Sequence, residues 1–248
     1  MKYVCTFLKK CLLVVSVIVV SCDNDDGAVS AMNDAPVDET LSILFIGNSH
    51  TNYNSGLATH VEEFASSFGI DVQAEIVAPN GFTLEAHVQS ESTLFRIQNT
   101  DWDIIILQEN TYRAAYETEE MKQSILDFTE VFATSNTQVS LFKTWAYQDM
   151  PEMNNLLDIA YNESSVLSNF PVIPIGSVWE TFITTSTIDI YDDDNVHPNP
   201  TGTYLTAGLF FKKLFPDQDI TSSTYHSSLT PELANEIKTY VSSQTIIQ

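Results

Sequence analysis

The sequence predicts one α/β domain, three layers deep, with helices on both faces of a five-stranded, mainly parallel sheet. Three observations carry this. Five short apolar runs alternate with longer amphipathic stretches from residue 41 onward. Several of the runs are apolar on consecutive positions, as in strands buried on both faces. At 248 residues, with 44% hydrophobic and 17% charged side chains, the chain is long and apolar enough for one sizeable core.

The apolar runs are 41–47 (LSILFIG), 70–78, 102–107 (WDIIIL), 139–145 and 171–175 (PVIPI). Between them lie stretches at helical spacing. The first covers 56–68, with Leu57, Val61 and Phe64 on one stripe. The others are 83–97; 117–133, with Met121, Ile125, Phe128 and Val131 in step; and 153–167. Two more follow, 203–215 and 231–241, the last with Pro231 at a helix start. Strand and helix alternate five times, which is the pattern of a doubly wound sheet. A flavodoxin-like strand order is the expectation.

The first 39 residues read differently. Lys2, Lys9 and Lys10 precede an apolar run at 11–20. At about ten residues it is too short for a bilayer span of roughly 20, and it suits a signal-peptide core. Val19-Val20-Ser21-Cys22 resembles the lipobox of bacterial lipoproteins, in which the Cys is lipidated and becomes the new N-terminus. Cys5, Cys11 and Cys22 are the three cysteines, so none lies in the body of the chain. The expected division is a leader over 1–21, an acidic flexible tether over 22–39 and a folded domain over 40–248. The run Asp23-Asn24-Asp25-Asp26 resembles the acidic tags of surface-exposed lipoproteins in Gram-negative bacteria, against the plainer reading of a solvated tether. The expected location is therefore the outer membrane, facing outward, with the lipid anchor as the membrane contact.

Ten Lys and Arg stand against 33 Asp and Glu, a formal charge of −23. Three of the ten basic residues lie in the leader, so the mature chain is more negative still. Such a field repels nucleic-acid backbones and anionic lipid surfaces.

In a doubly wound sheet, sites form beyond the carboxyl ends of the strands. Gly47-Asn48-Ser49-His50-Thr51 follows the first run. There Ser49 is either a nucleophile on a tight turn or a helix cap. Gly81 follows the second run, as a plain turn glycine or as a close-approach N–H donor. Gln108-Glu109-Asn110-Thr111 follows the third, where Asn110 is either a turn residue or an amide donor. The sharpest cluster is Asp192-Asp193-Asp194-Asn195-Val196-His197-Pro198. Asp194 and His197 are spaced so that a carboxylate can orient one ring nitrogen and leave the other to a hydroxyl. The plainer reading is an acidic loop leading into a helix. The Gly and distal Glu of a Ca²⁺ loop are missing, and no metal or cofactor is expected. Of the other histidines, His60 and His87 fall in helix-like stretches as surface or packing residues. His226 lies in a polar terminal loop, and His50 adjoins Ser49 too closely to fold back on it.

Taken together, the four clusters resemble the SGNH (GDSL-like) hydrolases. That family carries a GDS block after the first strand, Gly in a second block, GxND after the third strand and DxxH near the C-terminus. The counterparts here are Gly47-Asn48-Ser49, Gly81, Gln108-Glu109-Asn110-Thr111 and Asp194-Asn195-Val196-His197, within residues 41–216. The third block departs from the pattern, with Gln108 for Gly and Thr111 for Asp, and Asn48 replaces the family's Asp. The resemblance implies a flavodoxin-like three-layer fold and a serine esterase with a triad of Ser49, His197 and Asp194. It implies an oxyanion hole from the N–H groups of Ser49 and Gly81 and the amide of Asn110, with Gln108 as the alternative donor. O-acyl esters of a polysaccharide or oligosaccharide are the expected substrates, by analogy. The competing readings are a non-catalytic carbohydrate-binding lipoprotein and a lipase or phospholipase, with Trp145, Tyr147 and Trp179 as pocket aromatics.

Overall fold

Strand β1 (Leu41–Ile46) lies in the middle of the sheet, and its side chains divide between two cores. Ile43 and Phe45 pack on one face, Leu44 and Ile46 on the other, and all four are fully buried. Successive residues of a strand point to opposite faces, so a strand covered on both sides must be apolar throughout. The structure is a computed structural model, which describes residues 40–246. The leader, Cys22 and the tether lie outside those residues.

The remaining strands are β2 (Val72–Val77), β3 (Ile104–Leu107), β4 (Gln138–Phe142) and β5 (Val172–Ile173). The order is β2-β1-β3-β4-β5, and every pairing is parallel. This is the flavodoxin-like order. The helices are α1 (Ser49–Asn52), α2 (Gly56–Ser66), α3 (Leu84–Val88), α4 (Glu91–Gln98), α5 (Thr111–Tyr116), α6 (Thr118–Val131), α7 (Met153–Ser168), α8 (Ile175–Thr185), α9 (Pro200–Leu214) and α10 (Pro231–Ser243). One core draws on α2, α8, α9 and α10, and the other on α3 to α7. Trp145 and Trp179 stack at 3.8 Å inside the first core, so neither lines an open pocket.

Three element boundaries correct the sequence reading. The stretch 83–97 is two helices, because Ser90 turns the chain and caps α4 by accepting the N–H of Thr93. The run 171–175 holds only a two-residue strand, and Ile175 already opens α8 behind Pro174. Helix α9 begins at Pro200, not residue 203. The side chain of Asn199 accepts the N–H groups of Thr201 and Gly202, and Pro200 takes the first helical position, where its missing donor costs nothing.

Candidate active site

All the candidate residues lie on loops that leave the carboxyl ends of strands, or on the loop that feeds α9. Ser49 follows β1 as the first residue of the single turn α1. Asn48 caps that turn by accepting the N–H of His50 at 3.1 Å. The cap fixes the backbone of Ser49, whose side chain is almost buried.

The loop before α9 brings the base to it. Tyr191 and Pro198 form an antiparallel bridge that closes the loop around residues 192–197. Asn195 sits in the left-handed region at φ +62°, which Asn tolerates better than most residues. The loop is pinned from outside: Gln148 N–H donates to Asn195 O at 2.8 Å, and the Trp145 indole donates to Val196 O at 3.1 Å. Asn54 reaches it from the other side, its amide donating to Pro198 O and Thr203 Oγ1 at 2.9 and 2.8 Å. Since Asn54 closes the turn behind α1, it ties the Ser49 segment to the His197 loop.

Within this frame Ser49 Oγ lies 2.7 Å from His197 Nε2, and His197 Nδ1 lies 2.5 Å from Asp194 Oδ2. Asp194 Oδ1 accepts the N–H groups of Val196 and His197, both at 2.9 Å. Partial burial opposes the charge on Asp194, but the hydrogen bonds from His197 and Val196 outweigh it and hold the carboxyl down at about 2. An ionised carboxylate can only accept, so Nδ1 carries the proton and Nε2 faces the serine hydroxyl as an acceptor. That tautomer is the one in which an imidazole can take a proton from Ser49.

Two rings confine the imidazole. Tyr53 stacks on His197 at 4.3 Å, and His50 lies 5.2 Å away, packed in turn on Trp145. Full burial, with His197 adding to it, lowers His50 to about 3, so this second imidazole stays neutral.

The donor groups are arranged by the other two blocks. Gly81 has φ +74°, a conformation that suits glycine, and the loop that holds it is tied to the nucleophile loop. Asn48 Nδ2 donates to Phe82 O at 2.9 Å, and the buried His87 places Nε2 2.6 Å from Gly47 O. His87 is therefore a buried bracing residue, as is His60, which bridges Tyr225 and Asn54 O. After β3, Asn110 caps α5 with Oδ1, accepting the Arg113 N–H at 3.2 Å, which leaves its Nδ2 uncommitted. Among the described residues, no acceptor takes Asn110 Nδ2 or the N–H groups of Ser49 and Gly81.

Gln108, the alternative donor, is committed elsewhere. It is buried, and its Oε1 accepts Asn48 N–H at 2.8 Å and Thr51 Oγ1–H at 2.9 Å. A backbone N–H can only donate, so the orientation of the amide is fixed, and Nε2 goes to Glu109 O at 2.6 Å. The Gln that departs from the family pattern thus braces the nucleophile turn from below. It needs Gly47 to do so, since a Cβ there would stand 2.4 Å from Gln108 Oε1.

Sequence reasoning singled out the serine, the histidine, the aspartate and the three donor positions. It missed Tyr53, Asn54 and the brace from Gln108. Asn48 had a readable signal, since Asn before a short polar turn is a favoured cap. The contacts of Tyr53 and Asn54 span about 144 residues or more and leave no local trace.

No protein-family model matches the sequence, and no curated protein matches it. Solved structures do. A DUF4886 family protein from Bacteroides uniformis superposes with a TM-score of 0.71 at 18% identity, over 82% of this chain and 94% of that one. A protein assigned to the SGNH hydrolases from Slackia heliotrinireducens gives 0.61 at 20% identity, over 71% and 99%. The fold is that of the SGNH hydrolases. A psychrotrophic esterase, EstA from Pseudoalteromonas, solved as inhibited by monoethylphosphonate, gives 0.57 at 12% identity, over 71% and 99%.

Proposed function

We propose that this protein is a serine esterase that cleaves carboxylic esters through Ser49, His197 and Asp194. The observation that carries the reading is the continuous chain Asp194–His197–Ser49, with contacts of 2.5 and 2.7 Å, at the carboxyl edge of a parallel sheet. Such a chain has no structural need to join three polar groups across 148 positions of sequence.

The chemistry follows from the tautomer. Ser49 Oγ attacks the ester carbonyl while its proton passes to His197 Nε2. The carbonyl oxygen becomes an oxyanion, held by the N–H groups of Ser49 and Gly81 and by Asn110 Nδ2. Each donor of this kind is worth ~3–4 kcal/mol in the transition state. Asp194, held ionised, stabilises the imidazolium without taking its proton. As the C–O bond breaks, His197 returns the proton to the leaving alcohol, and an acyl-Ser49 ester remains. Water, deprotonated by His197, then attacks that ester, and the acid leaves as Ser49 recovers its proton.

The substrate class we propose is short acyl esters, O-acetyl groups on glycans foremost. It rests on the nearly buried nucleophile and on the analogy of exported polysaccharide-processing enzymes. Cys22 as a lipidated N-terminus and an outward-facing outer-membrane location complete the proposal, on the sequence signals alone. A p-nitrophenyl ester series from acetate to long acyl chains tests the function. Turnover falling with chain length, and lost in Ser49→Ala, is the expected result. A folded Ser49→Ala protein that keeps more than about a tenth of wild-type kcat/KM overturns it.

A further inference from the structure

Glu109 is a fully buried carboxylic acid with no part in the steps above. It follows Gln108 on the loop between β3 and α5, among fully buried Leu84 and Leu107. Its Oε1 accepts the N–H of its neighbour Asn110 at 2.6 Å and also that of Leu84 at 3.1 Å, with Oε2 3.3 Å from the same N–H. Leu84 opens α3, three residues after Gly81. One carboxylate therefore grips both segments that carry the proposed oxyanion donors.

We propose that Glu109 is a positioning residue for the oxyanion hole, acting by tying the Gly81 loop to the Asn110 loop through the N–H groups of Leu84 and Asn110. This rests on the esterase reading above. With N–H held by Glu109, C=O held by the Ala114 N–H and Oδ1 held by the Arg113 N–H, Asn110 has three of its four polar groups fixed, and the fourth, Nδ2, is aimed by the others. Catalysis by fixed dipoles depends on such preorganisation, because donors that must reorient during the reaction lose their advantage. Burying a carboxyl is costly, and an apolar side chain would avoid that cost only by leaving the N–H groups of Leu84 and Asn110 without an acceptor, so the test must read positioning apart from stability.

Arg113 of α5 spends its guanidinium on Glu85 of α3 at 2.6 Å, an outer strap between the same two segments. Tyr161 of α7 and Glu85 add negative or neutral surroundings. Burial raises Glu109 to about 7, against the pull of the two N–H groups and Arg113. Its charge state therefore changes near neutral pH.

The test compares Glu109→Gln and Glu109→Leu with wild type on p-nitrophenyl acetate, far below the unfolding temperature. Glu109→Gln keeps one acceptor oxygen but no charge. It should lower kcat about three- to tenfold with KM unchanged, and the acid limb of kcat, steeper than one proton in wild type, should become a single-proton limb. Glu109→Leu removes both acceptors and should lower kcat about 30-fold or more, again with KM within about threefold. A Glu109→Gln enzyme with wild-type kcat and a wild-type acid limb overturns the proposal, whether or not the Leu variant folds. A folded Glu109→Leu enzyme whose loss lies wholly in KM does the same. Ser49→Ala is the control that separates the two ideas: if it stays active, the esterase reading falls. If it is dead while both Glu109 variants match wild type, only the positioning role falls.

Discussion

The ring of Tyr53 lies flat on the imidazole of His197, 4.3 Å away with 6° between the planes. The two residues come from distant segments, the turn after α1 and the loop before α9. The stack restricts rotation of a side chain whose two nitrogens must face Asp194 and Ser49 at once. Tyr53→Ala should lower kcat/KM about tenfold, because a loosened imidazole spends less time in the reactive geometry. Tyr53→Phe should stay near wild type, since the ring face is what counts. Steady-state kinetics on p-nitrophenyl acetate decide this, and a fully active Tyr53→Ala enzyme would show that the stack is incidental.

Asn110 and Gln108 should separate by what each loses. Asn110→Ala removes the cap on the Arg113 N–H, at a cost of about 1 kcal/mol of stability, and should lower kcat about 10²–10³-fold with little change in KM. Gln108→Ala leaves Asn48 N–H and Thr51 Oγ1 without their acceptor and should cost about 2–4 kcal/mol of stability. Thermal melts and kinetics on both variants give the comparison. A silent Asn110→Ala beside a stable Gln108→Ala that has lost kcat would reverse the assignment.

Glu109 also predicts a pH dependence of stability. Its folded value of about 7 lies above the ordinary carboxyl value of 4.5, so between these the native state binds the extra proton. Stability from this group is therefore highest below pH 4.5 and declines as pH rises toward 7, by on the order of 3 kcal/mol in all. Melting of wild type against Glu109→Gln from pH 4.5 to 8 isolates it from the overall negative charge. Wild type should lose ground to the variant as pH rises. A difference that does not change with pH would refute the shift.

Cys22 should be the acylated first residue of the mature chain. A single acyl chain binds a membrane only marginally, so a stable anchor needs two or more. Cys22→Ser should move the protein to the soluble fraction. Mass spectrometry that finds an unmodified N-terminus elsewhere would exclude the anchor.

The parts legible in the sequence are those with local causes. Runs such as IIIL in β3 must be buried on both faces, which marked the sheet and its parallel character. The Asp194–His197 spacing lies within one loop and was readable as a pair. Helix α8 was hidden because IGSVWETFITT is rich in β-branched and aromatic residues, and Ile175 extended the apparent strand before it. The start of α9 is marked by Asn199 and Pro200, whereas its apolar stripe begins further along. What escaped entirely was contact between distant segments: Asn54 on Pro198, Tyr53 on His197, and Gln108 beneath Asn48. No pattern of one stretch records a partner from another.

Gly47 and Gln108 have an evolutionary consequence. The amide oxygen of Gln108 occupies the space that any side chain at position 47 would need. Enlarging position 47 alone collides with it, and shrinking position 108 alone leaves Asn48 N–H without a partner. Each single step is harmful, and a paired change must also relieve Thr51 Oγ1, which would stand 2.7 Å from a Cβ at position 47. The two positions are therefore epistatic, and any path between this chain and a homologue with Gly at 108 must supply a new acceptor for the turn before it gives up the old one. A library that varies the two together with Thr51 should recover active combinations that one-at-a-time mutagenesis would discard.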